Sequence, residues 1–473
     1  MAACYVLLQD RSPRAAAQLG WYYGIGWFGV GTSWIYNSIA VYGNAAPPLA
    51  FIIMALFVAI MALYFALFAY SWRRWASQRL PLAGFAATWV LAEALRGWLF
   101  TGFPWLQLGS AHVTTMFSGL APLFGVLGIS LVLALLGGIA GELALRLWRQ
   151  RSLRSLSRSP LPALWLLLVV GSWYADRLLW VVPSSAAPVT VGLVQGNIPQ
   201  GRKFDSGFLQ EIIDTYDILS APLWHNDFVL WPETALPVVQ QNASHILEYF
   251  AAQAGDYNGT LVTGIFAADA ADGSMHNSVT VVGEGSGTWH KQKLVPFGEY
   301  VPLRRVLSNV LQLFALPMSS LAPGPATQPL LEVAGHRVAA FICYEVVYPD
   351  FVRRHGGDAD FLLTISNDTW FGTSWGPPQH LQIAALRARE LGRYMVRATN
   401  DGISAVIDER GRVLKQTQQF TADILEGEIR LFDGMTPFAR WGSWPVLLLA
   451  ALVLLQNRYP LSLRPGKLAQ PGA

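Results

Sequence analysis

The sequence predicts an α/β domain inserted before the last helix of an all-α transmembrane bundle of about six spans. Hydrophobic residues make up 53% of the 473-residue chain and charged residues only 13%, against about 25% in an average soluble domain. The apolar residues are concentrated in long stretches on both sides of a more polar segment. We therefore expect a bundle of five spans over 1–184, an α/β domain over 185–440, and a sixth span with a tail over 441–473.

Six apolar stretches are candidates for crossing a membrane. The stretch PLAFIIMALFVAIMALYFALFAYS is uncharged throughout, and about 20 apolar residues suffice to span a hydrocarbon core of about 30 Å. The predicted spans cover residues 17–39, 48–71, 82–99, 117–146, 161–182 and 441–459.

The placement of Lys and Arg orients these spans. Basic clusters follow the second, fourth and sixth spans, and two arginines precede the first. Loops on the cytoplasmic side carry an excess of Lys and Arg, so these clusters predict the cytoplasmic face. The segment 185–440 then lies on the opposite side, in the exterior or the periplasm.

Residues 188–437 alternate between two patterns. Short β-branched runs such as VTVGLVQGN, GTLVTGIF and FLLTISND are typical of strands. Between them, FLQEIIDTYDILS and HLQIAALRARELGRYMV show helical periodicity. The alternation predicts an α/β domain of about 250 residues.

Composition excludes several classes of function. A net charge of +3, without a stripe of basic and aromatic residues, is too small to indicate nucleic-acid binding. The two cysteines exclude a disulfide framework, and no CxxC pair indicates a structural metal.

One of those cysteines, Cys343, ends the strand RVAAFIC and precedes Tyr344 and Glu345. An isolated cysteine of this kind is usually a buried hydrophobic residue. A nucleophilic cysteine instead needs a base or a cation nearby. Two stretches offer such groups, LWPETALP with Glu233 and HKQKLVPFGEYVP with its two lysines and a glutamate. Each of these charges could equally belong to a solvated loop.

Together the three stretches resemble the nitrilase superfamily, whose members use a Glu-Lys-Cys triad in this order. Further motifs are similar to the apolipoprotein N-acyltransferase family: VQGNIPQ, NDTWFG, GPPQH and RATNDG in the polar segment, WIYNSIA, RGWLFTGFPWLQLG and TPFARWGSWP in the apolar parts. The resemblance covers nearly the whole chain. It implies a nitrilase-like α-β-β-α sandwich mounted on the helical bundle.

The resemblance also implies a function. Members of this family take an acyl chain from a phospholipid, usually phosphatidylethanolamine, through a cysteine thioester. They transfer it to the N-terminal amine of the diacylglyceryl-cysteine of an apolipoprotein, in the bacterial inner membrane with the catalytic domain in the periplasm. The cycle needs no metal or organic cofactor, and we expect a monomer.

The resemblance assigns the catalytic roles to Glu233 as base, Lys291 as oxyanion stabiliser and Cys343 as nucleophile. By charge alone Lys291 and Lys293 are equivalent. The family places the catalytic lysine eight residues before the glutamate of PFGE, which is Glu299 here, and this selects Lys291.

The resemblance further implies that Glu299, Tyr344 and Glu345 position the triad. Phe204 takes the place of a family tryptophan on a mobile loop near the entrance, keeping an aromatic face without an indole N–H donor. Trp105, in the loop Gly102–Gly109, is a second candidate at the lipid entrance. The family commonly has eight spans, two of them before the WIYNSIA helix, whereas this chain shows six.

Two other functions remain open at this point. A membrane-tethered amidase of nitrilase type would use the same triad with water or ammonia chemistry. A catalytically inactive, lipid-binding scaffold would keep the fold without contact between the triad side chains.

Overall fold

A computed structural model of the chain describes residues 1–151, 158–300 and 321–458. The first part is helical. Its helices are α1 (Ala2–Leu8), α2 (Pro13–Gly31), α3 (Trp34–Asn37), α4 (Pro47–Ser71), α5 (Pro81–Arg96), α6 (Ala121–Gln150) and α7 (Leu161–Ala175), with π-helical turns at Ser38–Tyr42 and Trp72–Ala76.

Two helical stretches of the described chain are long and apolar enough to cross a membrane, Pro47–Ala76 and Met116–Gln150. Two shorter apolar helices are α7 and the C-terminal helix Trp444–Arg458. The predicted span 161–182 is shorter than expected: its helix ends at Ala175, just before Asp176 and Arg177, and Val182 already lies in a strand. The full number of spans therefore stays a prediction.

The second part contains the strands and their connecting helices. The strands are β1 (Val182–Pro183), β2 (Val189–Gln195), β3 (Phe228–Leu230), β4 (Leu236–Val239), β5 (Thr260–Ala268), β6 (Met275–Gly283), β7 (Gly285–Ser286), β8 (Thr288–His290), β9 (Leu331–Val333), β10 (His336–Ile342), β11 (Phe361–Ser366), β12 (Met395–Thr399), β13 (Ala405–Ile407), β14 (Val413–Gln416), β15 (Asp423–Ile429) and β16 (Phe432–Asp433). The helices are α8 (Gln200–Lys203), α9 (Leu209–Ser220), α10 (Ser244–Gly255), α11 (Pro349–Gly356), α12 (Gly376–Leu391), α13 (Pro437–Trp441) and α14 (Trp444–Arg458).

Within the described residues these strands form two large sheets and a small β1–β16 pair. One sheet has the order β15-β2-β3-β5-β6-β8, with β4 beside β5, and the other has the order β14-β13-β12-β11-β10-β9-β7. The central strands β2, β3 and β5 are parallel, as are β10, β11 and β12. Parallel strands buried on both faces read as continuous apolar runs, which explains the Val- and Ile-rich runs of the sequence.

The two sheets pack face to face between helices. Phe228 of β3 and Phe361 of β11 are both fully buried, and their rings stack across the interface with centroids 5.7 Å apart. Helices α9 and α10 cover the outer face of the first sheet, and α11 and α12 cover the second. The result is the α-β-β-α sandwich that the sequence predicted.

One predicted helix ends earlier than its pattern indicated. The pattern HLQIAALRARELGRYMV continues to Val396, but α12 ends at Leu391 and β12 begins at Met395. Gly392 adopts a left-handed φ of 65°, a conformation that glycine accepts at low cost and that commonly terminates a helix. Beyond it Met395–Thr399, with β-branched Val396 and Thr399, joins the sheet.

We predict that Phe361→Ala lowers the free energy of unfolding by about 3–5 kcal/mol, because it opens a cavity between the sheets. Thermal unfolding of the detergent-purified protein measures the change. Phe361→Leu, which keeps most of the volume, should cost clearly less. Equal midpoints for the alanine variant and the wild type would contradict a core centred on this ring pair.

Candidate active site

The three predicted catalytic residues lie where strands end. Glu233 follows β3, Lys291 follows β8 and Cys343 follows β10. The carboxyl ends of parallel strands form one edge of a sheet, where sites of α/β proteins commonly lie. Packing of the two sheets brings these residues together around the side chain of Lys291.

The ammonium of Lys291 lies between two carboxylates. Its Nζ is 3.2 Å from Oε1 of Glu233 and 2.8 Å from Oε1 of Glu299. Lys291 is only 1% exposed and Glu233 6%. Burial alone would lower the pKa of Lys291, but the two carboxylates raise it well above its usual value. The two carboxylates therefore favour the charged form of the lysine.

Amide groups donate further hydrogen bonds to these carboxylates. The side-chain Nδ2 of Asn277 donates to Glu233 at 2.7 Å and to Glu299 at 3.1 Å. The backbone N–H of Asn367 donates to the second oxygen of Glu233 at 2.8 Å. Asn277 had no predicted role, and its polar side chain is fully buried in β6.

Cys343 occupies a sharp turn directly after β10. Its φ of 53° lies in the left-handed region, which is costly for a residue with a side chain. Glu345 holds this turn, because its carboxylate accepts the backbone N–H groups of Ile342 at 2.8 Å and Gln292 at 2.7 Å. Burial raises the pKa of Glu345 to about 7, although these hydrogen bonds act to lower it. The nucleophile turn is thereby tied to the loop that carries Lys291.

The electrostatic environment keeps the Cys343 thiol protonated at rest. Burial and the carboxylate of Glu233 raise its pKa above the usual value, and Lys291 partly opposes them. The residue nevertheless remains partly accessible. A neutral thiol beside a carboxylate and an ammonium suits nucleophilic attack in which the carboxylate takes the proton as the bond forms.

Tyr344 points away from this cluster and contacts the helical part. Its hydroxyl, like that of Tyr348, donates to the backbone oxygen of Gly102, at 3.1 and 3.0 Å. Arg96 of α5 donates to the backbone oxygens of Phe103 and Trp105 in the same loop. The loop that follows α5 is thus held on one side by a buried arginine and on the other by the nucleophile turn.

The structure places the two predicted entrance residues differently. Phe204 follows α8, is 39% exposed and lies near the ring of Phe266. Trp105 is fully buried, and its Nε1 donates to Oε1 of Gln379 at 2.7 Å. Only Phe204 therefore has a surface open to an entering molecule.

The neighbour of Phe204 binds the site directly. Lys203 is buried, and its Nζ donates to the backbone oxygen of Glu233 at 3.0 Å. Burial lowers the pKa of Lys203 to about 8, although the carboxylates of Glu233 and Asp401 oppose this. Helix α8 is therefore anchored at the backbone of Glu233 while the next side chain, Phe204, stays exposed.

The described residues contain no group of three or more His, Cys, Asp or Glu side chains placed to hold a metal ion. The ammonium of Lys291 and the side-chain NH2 of Asn277 bind the carboxylates of Glu233 and Glu299, whereas Oδ1 of Asn277 has no hydrogen-bond partner among the described residues. The charges and geometry of the site suit acyl transfer by a cysteine nucleophile.

Comparison with known proteins identifies the class first. Residues 190–434 match the family model of the carbon-nitrogen hydrolases, and residues 1–139 match that of the apolipoprotein N-acyltransferase N-terminal domain. The first match covers the sandwich and its Glu-Lys-Cys cluster, so this part has the carbon-nitrogen hydrolase, or nitrilase-like, fold.

Full-length relatives narrow the class to a family. The chain is 44% identical over 464 residues to an apolipoprotein N-acyltransferase of Pseudomonas syringae pv. tomato, covering 96% of this chain and 90% of the relative. It is 43% identical over 476 residues to that of Pseudomonas aeruginosa, covering 98% and 91%. The chain is 37% identical over 454 residues to the apolipoprotein N-acyltransferase of Coxiella burnetii, covering 95% of this chain and 92% of the relative. The chain belongs to the apolipoprotein N-acyltransferase family and is an acyltransferase.

We predict opposite shifts in the pH dependence of Cys343 alkylation for two variants. Glu233→Gln removes a negative charge that raises the thiol pKa, so alkylation should begin at lower pH. Lys291→Met removes the opposing positive charge and should move it to higher pH. Iodoacetamide rates between pH 7 and pH 10, read from the mass of the Cys343 peptide, measure both shifts.

Lys293→Met provides the matched control. The Nζ of Lys293 lies over the rings of Tyr348 and Phe351, at 5.4 and 6.0 Å from their centroids, and not between the carboxylates. Its profile should follow the wild type. A shift in Lys293→Met as large as that in Lys291→Met would contradict the choice of Lys291.

Proposed function

We propose that this protein transfers an acyl chain from a phospholipid, through a thioester on Cys343, to the N-terminal amine of the diacylglyceryl-cysteine of apolipoproteins. The observation that carries the proposal is the convergence of Glu233, Lys291 and Cys343 in one buried cluster. The nucleophile turn also packs against a loop of the helical part, through Tyr344 and Gly102. A lipid ester would thus meet the nucleophile beside the apolar helices.

The first half-reaction forms the thioester. Glu233 takes the thiol proton while Sγ of Cys343 attacks the ester carbon, and the ammonium of Lys291 stabilises the negative oxygen of the tetrahedral intermediate. The C–O bond to glycerol then breaks. Glu233 returns its proton to the glycerol oxygen, and the lysophospholipid leaves.

The second half-reaction uses the same groups, with Cys343 now as the leaving group. The neutral lipoprotein amine attacks the thioester carbon, and Glu233 takes the amine proton. The C–S bond breaks to give the amide, and Cys343 recovers its proton from Glu233. One base therefore serves both halves of a ping-pong cycle without a cofactor.

The surrounding residues support this cycle by holding the three groups in place. Glu299 keeps Lys291 charged and oriented, and Glu345 fixes the turn of the nucleophile. Phe204 is our candidate for a moving residue at the substrate entrance, because it is exposed next to the anchored Lys203. Trp105, fully buried and hydrogen-bonded, forms part of the fixed wall beneath the site.

The finer assignments are also proposals. We infer phosphatidylethanolamine as the donor, a monomeric enzyme, and six spans in a bacterial inner membrane with the sandwich in the periplasm. The three parts 1–184, 185–440 and 441–473 then correspond to bundle, catalytic domain and final span. The basic clusters after the second and fourth spans support this orientation.

We predict that the purified protein gains the mass of one acyl chain on incubation with phosphatidylethanolamine, and that Cys343→Ala does not. Hydroxylamine should remove the added mass, since it cleaves thioesters. Glu233→Gln should slow acylation by about 10²–10⁴-fold, the usual contribution of a general base. Intact-mass spectrometry follows all three proteins.

Two results would redirect the proposal. Release of ammonia from small amides without acylation by lipid would favour the amidase. Folded wild-type protein that reaches the lipid in micelles and remains unmodified by either substrate would favour an inactive scaffold.

The proposed orientation predicts the labelling of two exposed positions in a Cys343→Ala background. Asp256→Cys, after α10, should react with a membrane-impermeant maleimide in cells whose outer membrane is permeabilised. Gln150→Cys, at the end of α6, should react only after lysis. The reverse pattern would place the sandwich in the cytoplasm.

A further inference from the structure

A second buried polar cluster lies beside Cys343. It consists of Asp368, which begins the turn after β11, His380 of α12 and Arg397 of β12. All three side chains are almost fully buried. They come from the motifs NDTWFG, GPPQH and RATNDG, to which the reaction above assigns no role.

The cluster reaches the nucleophile through its backbone. The Nε2 of His380 is 3.2 Å from the carbonyl oxygen of Cys343. A carbonyl oxygen only accepts hydrogen bonds, so Nε2 carries the proton and donates. The other ring nitrogen, Nδ1, faces Oδ1 of Asp368 and Nη2 of Arg397, each at 3.0 Å. Arg397 in turn donates to Oδ2 of Asp368 at 2.7 Å.

We propose that His380 is a positioning residue for the acyltransferase reaction, holding the Cys343 carbonyl through Nε2 so that the thiol stays directed at Glu233 and Lys291. Asp368 and Arg397 orient the imidazole. The inference deepens the proposed function and rests on it for the identity of the reaction.

The strained conformation of Cys343 makes such a contact necessary. A residue with a side chain is strained in the left-handed region and persists there only where its surroundings enforce it. Glu345 binds the backbone N–H of Ile342, on the N-terminal side of the nucleophile. His380 binds the carbonyl, on the C-terminal side. The first contact fixes the peptide unit between Phe341 and Ile342, and the second fixes the unit between Cys343 and Tyr344, so the turn is held on both sides of the nucleophile.

The helical part anchors the elements that carry this cluster. The side chains of Asn37 and Ser38 donate to the backbone oxygens of Phe371 and Trp370, at 3.2 and 2.8 Å, in the turn that Asp368 begins. Packing against the helical part thus fixes Asp368.

The helical part also fixes His380. The Nε1 of Trp105 donates to Gln379, the neighbour of His380, and its ring lies 5.5 Å from the imidazole. Gln379 donates in turn to the backbone oxygen of Gly31, at the end of α2. The geometry of the nucleophile therefore depends on the docking of the sandwich on the bundle.

Two amide substitutions of His380 separate this role from simple packing. In His380→Gln the side-chain amide extends about as far as Nε2 and can still donate to the Cys343 carbonyl. In His380→Asn it ends near the position of Nδ1, so it keeps contact with Asp368 but falls short of Cys343. We expect single-turnover acylation by phosphatidylethanolamine to fall at least about tenfold in His380→Asn. We expect it to stay within about threefold of wild type in His380→Gln, with the lipid KM unchanged in both.

The pH profile of Cys343 alkylation gives a readout that is independent of the lipid reaction. It should differ from wild type in His380→Asn, because the thiol loses its placement between Glu233 and Lys291, and match wild type in His380→Gln. His380→Ser, also too short, is measured in parallel in case the asparagine variant does not fold. Gln382→Ala, on the same helix, is the matched control and should behave as wild type.

Equal acylation rates and equal alkylation profiles in the short and long variants would overturn the proposal. So would a parallel loss in both variants accompanied by lower thermal stability, which indicates packing alone. If the wild type is not acylated by lipid, the proposed function fails, and the alkylation profiles still decide whether His380 positions Cys343.

Discussion

The buried ion cluster around Lys291 is the interaction on which the rest of the site depends. Two carboxylates, Glu233 and Glu299, share one ammonium, and the three groups together carry excess negative charge away from water. Such a cluster is tolerated only where other donors satisfy the remaining oxygens. The backbone N–H groups of Asn367 and Val295 bind the second oxygens of Glu233 and Glu299. The side chain of Asn277, in one sheet, adds a bond to each first oxygen, and Asn367 follows a strand of the other sheet. The site therefore requires both sheets in register.

A second constraint comes from the helical part. The hydroxyls of Tyr344 and Tyr348 donate to the backbone oxygen of Gly102 in the loop after α5. Arg96, in the bundle, donates to the backbone of the same loop. A buried arginine is stable only when acceptors surround it, and the loop backbone supplies them. The contact joins the nucleophile turn to the apolar helices, where a lipid substrate would enter.

Some errors of the sequence-based predictions have simple physical causes. The helical pattern predicted a helix through to Val396, whereas α12 ends at Leu391. The pattern does not show that Gly392 adopts the left-handed φ that ends the helix. Trp105 suited an interfacial position by residue type, yet the structure buries it against Gln379. Asn277, His380 and the other supporting residues received no role, because their effect depends on contacts with distant parts of the chain.

The apolar stretches and the alternation of strand and helix patterns predicted the order of apolar and α/β parts, because local periodicity is a property of the chain itself. The nitrilase-like fold and the roles of Glu233, Lys291 and Cys343 came from the resemblance of the motifs to a known family, and those roles stay predictions. Only the tertiary structure decided which charges share a cluster. Glu233 and Lys291 are 58 residues apart in the chain, and their side chains meet because they follow two strands, β3 and β8, of the same sheet. Packing of the second sheet then adds Cys343, which follows β10. The structure likewise decided that Lys291, and not Lys293, lies between the carboxylates.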